Sequence, residues 1–161
     1  MARTIAKDGY RSLLALMDDV NRAEPALALK VPDTPARIQA KGVSFLEFAS
    51  KAEEAQALGA LLSSLGFIHS ADHVALDLSL WTQGDIRILI NRETKGYASS
   101  AFTLHGTNVC DIGIAVNDAK AAAERAKFLG ADLFRQQSDP KHLKIPAIHG
   151  QSGGILHYID D

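Results

Sequence analysis

Val109-Cys110-Asp111-Ile112-Gly113-Ile114-Ala115-Val116-Asn117-Asp118-Ala119 decides how this chain folds. Residues 109–116 alternate as a strand, with Cys110, Ile112, Ile114 and Val116 on one face. Asp118 is placed to cap a helix. Behind it, Ala119, Ala122, Ala123, Ala126 and Leu129 make a small-residue stripe at helical spacing, and Gly130 stops the helix. Strands are expected over residues 133–136 and 143–148, the second at a sheet edge because of Pro146. Gly153-Gly154 turns the chain into a last strand over residues 155–159.

An earlier stretch has the same order. Residues 43–49 alternate, with Ser44, Leu46 and Phe48 on one face and Val43, Phe45, Glu47 and Ala49 on the other. Ser50-Lys51-Ala52-Glu53 reads as a capping box. Ala55, Leu58, Leu61, Leu62 and Leu65 form a buried stripe, and Gly66 sits at the helix stop. Phe67-Ile68-His69 is a short strand. Strands over residues 74–81 and 86–90 join at Gln83-Gly84-Asp85, a tight hairpin. Aligning Ser50 with Asp118 pairs Val43 with Asp111, Leu46 with Ile114 and Phe48 with Val116. A repeated βαβββ unit predicts an α+β domain of two curled sheets that face each other or join edge to edge. The helices cover the outer faces, and the inner faces line a concavity where a site would lie.

Working outward, Tyr10, Leu13, Leu14, Met17 and Val20 predict a helix that Pro25 ends. Pro32 and Pro35 mark a linker. The expected division is a helical extension over 1–24, a proline linker over 25–37 and the main domain over 38–161. The chain has 161 residues, 47 % of them hydrophobic and 22 % charged, so it is long enough for a core without staples. Its net charge of −2 gives no electrostatic case for nucleic acid or an anionic membrane. One cysteine, Cys110, excludes an internal disulfide and a cysteine zinc site, and fits a reducing cytoplasm. No apolar run reaches the ~18 residues of a membrane helix.

Specific strings carry a resemblance. They are Leu65-Gly66-Phe67, then Trp81-Thr82-Gln83-Gly84-Asp85-Ile86-Arg87-Ile88-Leu89-Ile90-Asn91, then His105-Gly106-Thr107-Asn108-Val109-Cys110-Asp111-Ile112. Val116-Asn117-Asp118-Ala119 and Ile145-Pro146-Ala147-Ile148-His149-Gly150 complete the set. With the repeat, they resemble the vicinal oxygen chelate superfamily (the glyoxalase, bleomycin resistance and dioxygenase-like fold) over residues 38–161. More narrowly they are similar to the N-terminal domain of the 4-hydroxyphenylpyruvate dioxygenase-like family. Asp8-Gly9-Tyr10-Arg11-Ser12-Leu13-Leu14 is similar to the last helix of sugar-phosphate isomerase-like barrels. That combination resembles the middle of a fusion between a 3-dehydroshikimate dehydratase barrel and a dioxygenase-like half.

The resemblance implies ligands on the first and last strands of each unit in members that bind metal. Mapped here, those positions are Val43 and Asp111, and about Ile90 and Asp160. No histidine stands there, so no metal and no other cofactor is expected in this chain. Asp111 and Asp160 are the weak candidates for a hard cation. The parent protein could still hold Fe2+, Mg2+ or Mn2+. Glu47, Arg87 and Tyr158 are expected to line the concavity. Asp111 lies in an otherwise apolar strand, so it needs a partner such as backbone or Arg87, or else replaces a ligand. Arg87 would likewise neutralise Glu47. Cys110 is expected under a helix as a small apolar residue. His69, His73, His142 and His149 read as surface or turn residues, His105 as structural, and His157 as pointing away from the concavity.

The expected function is the non-catalytic scaffold or interaction half of a dioxygenase-like protein, inactive alone. Its partners would be a second vicinal oxygen chelate domain, an upstream barrel and a second copy in a dimer. The alternative is a stand-alone glyoxalase-type metalloenzyme or small-molecule binder using Asp111 and Asp160 across a dimer.

Overall fold

The computed structural model describes residues 34–135, 144–150 and 153–160. The chain divides into two units, Met1–Thr34 and Pro35–Asp161. The expected first helix, the linker up to residue 33, Gln136 and His142 lie outside the described residues.

The second unit is built from β1 (Ala40–Ala49), α1 (Ala52–Ser64), β2 (Ile68–Asp72), β3 (Leu78–Gln83), β4 (Ile86–Asn91), α2 (Gly96–His105), β5 (Asn108–Val116), α3 (Ala119–Phe128), β6 (Ala147–His149) and β7 (Ile155–Ile159). The strands form one sheet in the order β2-β3-β4-β1-β5-β7-β6. Each half has a parallel pair at its heart, β1 with β4 and β5 with β7. Antiparallel pairing of β1 with β5 joins the halves edge to edge. This is the α+β arrangement that the repeat predicts.

Local chemistry explains much of it. Gly66 (φ +91°) and Gly130 (φ +92°) take the left-handed conformation that ends α1 and α3. Gly59 lets α1 sit close on the sheet, because a Cβ there would lie 2.9 Å from the Trp81 ring. Under α1, Ala55, Leu62, Ile88 and Ile90 form a core with Phe48, Leu58, Phe67 and Trp81 packed against it. Under α3, Val116, Ala119, Ala122, Ala123 and Tyr158 form another. Asp118 caps α3 as expected, its Oδ1 accepting from the Ala121 N–H at 2.8 Å. Asp118→Ala is expected to destabilise the protein by about 1 kcal/mol in urea unfolding.

The capping box at Ser50 does not form. Lys51 is the extended residue before α1 and makes no side-chain cap bond. Ala52 begins the helix at φ +37°. Ser50 is buried, and its hydroxyl pairs with Thr107 Oγ1 at 2.9 Å. Other boundaries also differ. β3 starts at Leu78, with Val74 fully exposed before it. Among the described residues, the strand expected at 133–136 is reduced to one bridge from Leu133 to Ile148.

One element was not expected. Helix α2 has no side-chain cap and no acidic residue in its first turn, so no local start signal marks it. Its Ala98 and Ala101 pack on Ala49 of β1 and Cys110 of β5. Ala49 lies on the face of β1 opposite Phe48, so α2 covers the inner face, whereas α1 and α3 cover the outer one.

Candidate functional site

The strand registers define the inner face. Glu47 stands opposite Asp111 across the central β1–β5 pair. Glu47 is also level with Leu89 of β4, and Asn91 lies two residues further on. Asp111 is level with Ile155 of β7, and His157 lies two residues further on. The two halves therefore present equivalent couples. In each, a carboxylate on the central strand meets a polar group two positions along the neighbouring parallel strand.

Both couples are closed. Asn91 Nδ2 donates to Glu47 Oε1 at 2.8 Å. The amide orientation is fixed from behind, because Asn91 Oδ1 accepts from the Glu93 N–H at 2.9 Å. His157 Nδ1 lies 2.6 Å from Asp111 Oδ2. Both residues are buried, at 9 % and 5 % exposure. The imidazole nitrogen is close but poorly aligned for a hydrogen bond, and Asp111 Oδ1 makes none among the described residues. The two groups are therefore in close polar contact without an aligned hydrogen bond.

Aromatic rings fill the space above. Phe45 lies against Gly113, where a Cβ would fall 2.4 Å from its ring. The Phe45 and His157 ring centroids are 6.3 Å apart. Phe134 meets Tyr97, His149 and His157 edge-on at 5.5, 5.3 and 6.3 Å. Tyr97 of α2 donates its hydroxyl hydrogen bond to the Gly153 carbonyl.

A bulge sets the position of Cys110. Phe48 pairs with Val109 and Glu47 with Asp111, so Cys110 has no partner on β1. Its side chain packs under α2, with Sγ 3.8 Å from Glu47 Oε1. Burial, then the Glu47 and Asp111 charges, push the thiol up to about 12. A thiol so held is no nucleophile at neutral pH. Burial also raises the Glu47 carboxyl above its ordinary range. The Asn91 hydrogen bond opposes this, the Asp111 charge adds to it, and His157 and Cys110 oppose it.

The expected site residues separate. Glu47 and Asp111 come together on the inner face. Asp160 does not join them, because its Oδ2 accepts from the Ala119 N–H at 2.9 Å at the start of α3. Tyr158 pairs in register with Ile114 and packs in the core under α3, so it lies on the outer face. Alternation then brings His157 inward, opposite to expectation. Arg87 is exposed and its guanidinium reaches the Asp85 carbonyl at 3.4 Å, so it neutralises neither carboxylate. Val43 is 60 % exposed and pairs with Ile114, and Ile90 is buried under α1. The alignment of helix caps missed Glu47, Asn91 and His157 as counterparts because Glu47 and Asp111 stand at different distances before α1 and α3. The signal that could have found His157 was its place two residues from Ile155 on a strand beside Asp111.

A divalent metal does not fit this set. Among the described residues no three histidines, cysteines or carboxylates come together as a ligand group. Asn91 turns its nitrogen, not its oxygen, toward Glu47. Also among the described residues, no helix is long and apolar enough to cross a membrane.

Comparison with known proteins agrees with this architecture. A 3-dehydroshikimate dehydratase of Pseudomonas aeruginosa is 33 % identical over 163 residues, covering 98 % of this chain and 26 % of that protein. A 4-hydroxyphenylpyruvate dioxygenase of Pseudomonas sp. (strain P.J. 874) is 34 % identical over 119 residues, covering 74 % of this chain and 33 % of that protein. The chain thus spans between a quarter and a third of these relatives. A solved xylose isomerase-like TIM barrel/4-hydroxyphenylpyruvate dioxygenase fusion protein superposes with a TM-score of 0.77 at 31 % identity, over 100 % of this chain and 27 % of that one. Methylmalonyl-CoA epimerase of Mycobacterium tuberculosis shares the fold at 13 % identity, with a TM-score of 0.58 over 81 % of this chain and 91 % of that one. The family described as hydroxyphenylpyruvate dioxygenase, N-terminal, matches residues 34–161. The vicinal oxygen chelate architecture seen in the sheet and the agreement of family, relatives and solved fusion lead to one conclusion: this chain belongs to the hydroxyphenylpyruvate dioxygenase N-terminal family.

Proposed function

We propose that this chain is the non-catalytic scaffold half of a larger dioxygenase-like protein, joined to a 3-dehydroshikimate dehydratase barrel and working in the cytoplasm. Its partners in that protein are the upstream barrel and a second vicinal oxygen chelate domain, and two copies pair as a dimer. The observation that carries this reading is the state of the inner face. Its polar groups are turned on each other, as Glu47 with Asn91 and Asp111 with His157, and its space is taken by Phe45, Phe134 and Tyr97. Catalysis needs groups aimed at a substrate and room for it. Here both are used within the fold. That the chain spans only between a quarter and a third of these relatives supports a part played inside a larger chain.

Calorimetric titration of the EDTA-treated protein with anaerobic ferrous iron, manganese and magnesium tests this. No saturable heat is expected. Neither 3-dehydroshikimate nor 4-hydroxyphenylpyruvate is expected to be consumed by the chain alone. Micromolar binding that Asp111→Ala abolishes would overturn the reading in favour of a glyoxalase-type metalloenzyme.

A further inference from the structure

We propose that helix α2 is a removable cover: in the folded protein it lifts off the inner face between Gly96 and Gly106, while the seven-stranded sheet beneath it stays intact. The sheet does not need the helix. β1 is hydrogen-bonded to β4 and β5, and β5 to β1 and β7, so no ladder bond of either strand runs through α2.

The seat of α2 is slight. It places two small side chains, Ala98 and Ala101, on Ala49 and Cys110. A methyl group buries far less apolar area than the leucine and isoleucines under α1. A cavity of about 110 Å3 lies between α2 and β5, lined by Tyr97, Leu104, Asn108 and Cys110 among others, so packing under the helix is incomplete. Two further contacts tie the helix down. The Tyr97 hydroxyl donates to the Gly153 carbonyl, and Lys51 Nζ lies 5.1 Å from the centre of the Phe102 ring.

The helix is also weak in itself. Ten residues make a marginal helix in water. It has no side-chain cap and no acid in its first turn. Ser100 and Thr103 donate back to the Gly96 and Ser99 carbonyls at 3.1 and 2.9 Å, a pattern that weakens helices slightly. Gly96 (φ +82°) and Gly106 (φ +70°) bracket it, and a Cβ at either would meet nothing within 4 Å. Conformation, not space, therefore calls for glycine at both ends, and such residues absorb the turn of a hinge. An element so held opens locally before the whole domain does. Lifting it uncovers Ala49, Cys110 and the Glu47 carboxyl, whose Oε1 lies 3.8 Å from Cys110 Sγ. The inner face is then closed by a part that can leave. This stands apart from the scaffold reading, because its readout is neither metal binding nor turnover.

Cys110 is the one cysteine in the chain and is 2 % exposed, so its labelling reports the cover. The test follows the reaction of the full 161-residue chain with dithiobis(nitrobenzoate) at fixed pH, from zero to denaturing urea. Below the unfolding transition, labelling is expected at least about tenfold faster than global unfolding allows, with a shallow dependence on urea. Tyr97→Phe is expected to speed it about fivefold, the factor that one net hydrogen bond is worth. Ile88→Val, under α1 on the outer face, weakens the whole fold but is expected to leave this labelling unchanged. Labelling that tracks global unfolding at every urea concentration, and that Ile88→Val speeds, overturns the proposal. Labelling near the rate of a free thiol overturns it too, because Cys110 would then need no opening. Amide exchange read by mass spectrometry gives a second measurement on the wild type. Residues 97–105 are expected to exchange together, ahead of 43–49 and 109–116, and equal protection of the three segments overturns the proposal.

Discussion

His157→Phe is expected to be among the most destabilising single substitutions in the described unit, at about 1–3 kcal/mol. The ring volume is nearly conserved, and Phe45 and Phe134 already make an aromatic surround for it. The loss therefore comes from the polar contact with Asp111. Asp111 is 5 % exposed, and His157 Nδ1 lies 2.6 Å from its Oδ2. Without that ring, the Asp111 carboxyl stays buried and loses this contact. The double substitution Asp111→Val with His157→Phe removes both polar groups. It is expected to return to within ~1 kcal/mol of the wild type or above it, because replacing both partners of a buried polar contact by packed apolar groups is often neutral or stabilising. Urea unfolding of the single and double variants gives the coupling directly. If the double variant is no more stable than His157→Phe, the pair is not what holds Asp111 in place. Since typical domains have a margin of only ~5–15 kcal/mol, the single variant should also show in soluble yield.

The elements legible in the sequence are those fixed by short-range chemistry. Gly66 and Gly130 end their helices because left-handed backbone is cheap only for glycine. Asp118 caps α3 because its carboxylate is three residues from a free N–H. The Gly84-Asp85 hairpin between β3 and β4 needs only local turn geometry. The failures share a different origin. Ser50 has a capping residue's chemistry, but its hydroxyl finds a better partner in Thr107, 57 residues away. Alternation assigns Cys110 and Asp111 to opposite faces, yet the bulge brings Cys110 beside Glu47. Alternation also cannot say which of two faces is inner. For β7, that choice came from pairing with β5, and it placed His157 inward and Tyr158 outward. Glu47 and Asp111 were legible as unusual acids in apolar strands. Their partners, Asn91 and His157, required the registers of two parallel pairs, which no local pattern encodes.

Gly113 is the second position where a large effect is expected, and the reason is space. It lies on β5, level with His157 on β7 and opposite Phe45 on β1. A Cβ built there falls 2.4 Å from two carbons of the Phe45 ring, and essentially no real contact is that short. The ring must leave its seat or β1 must move away from β5. Moving β1 disturbs the pairing that joins the two halves, so the ring moves. It then presses on His157, whose ring is next to it. Gly113→Ala is expected to cost about 1–3 kcal/mol through this overpacking, and Gly113→Val more. Strand propensity predicts the opposite order, since valine favours strands over glycine. The sign of the measured change therefore separates the two effects. Phe45→Ala in the Gly113→Ala background supplies the control. It removes the clash, so the alanine at 113 should then be neutral or stabilising relative to glycine. If alanine at 113 costs the same with and without the Phe45 ring, close packing of Phe45 on Gly113 is not what closes the inner face.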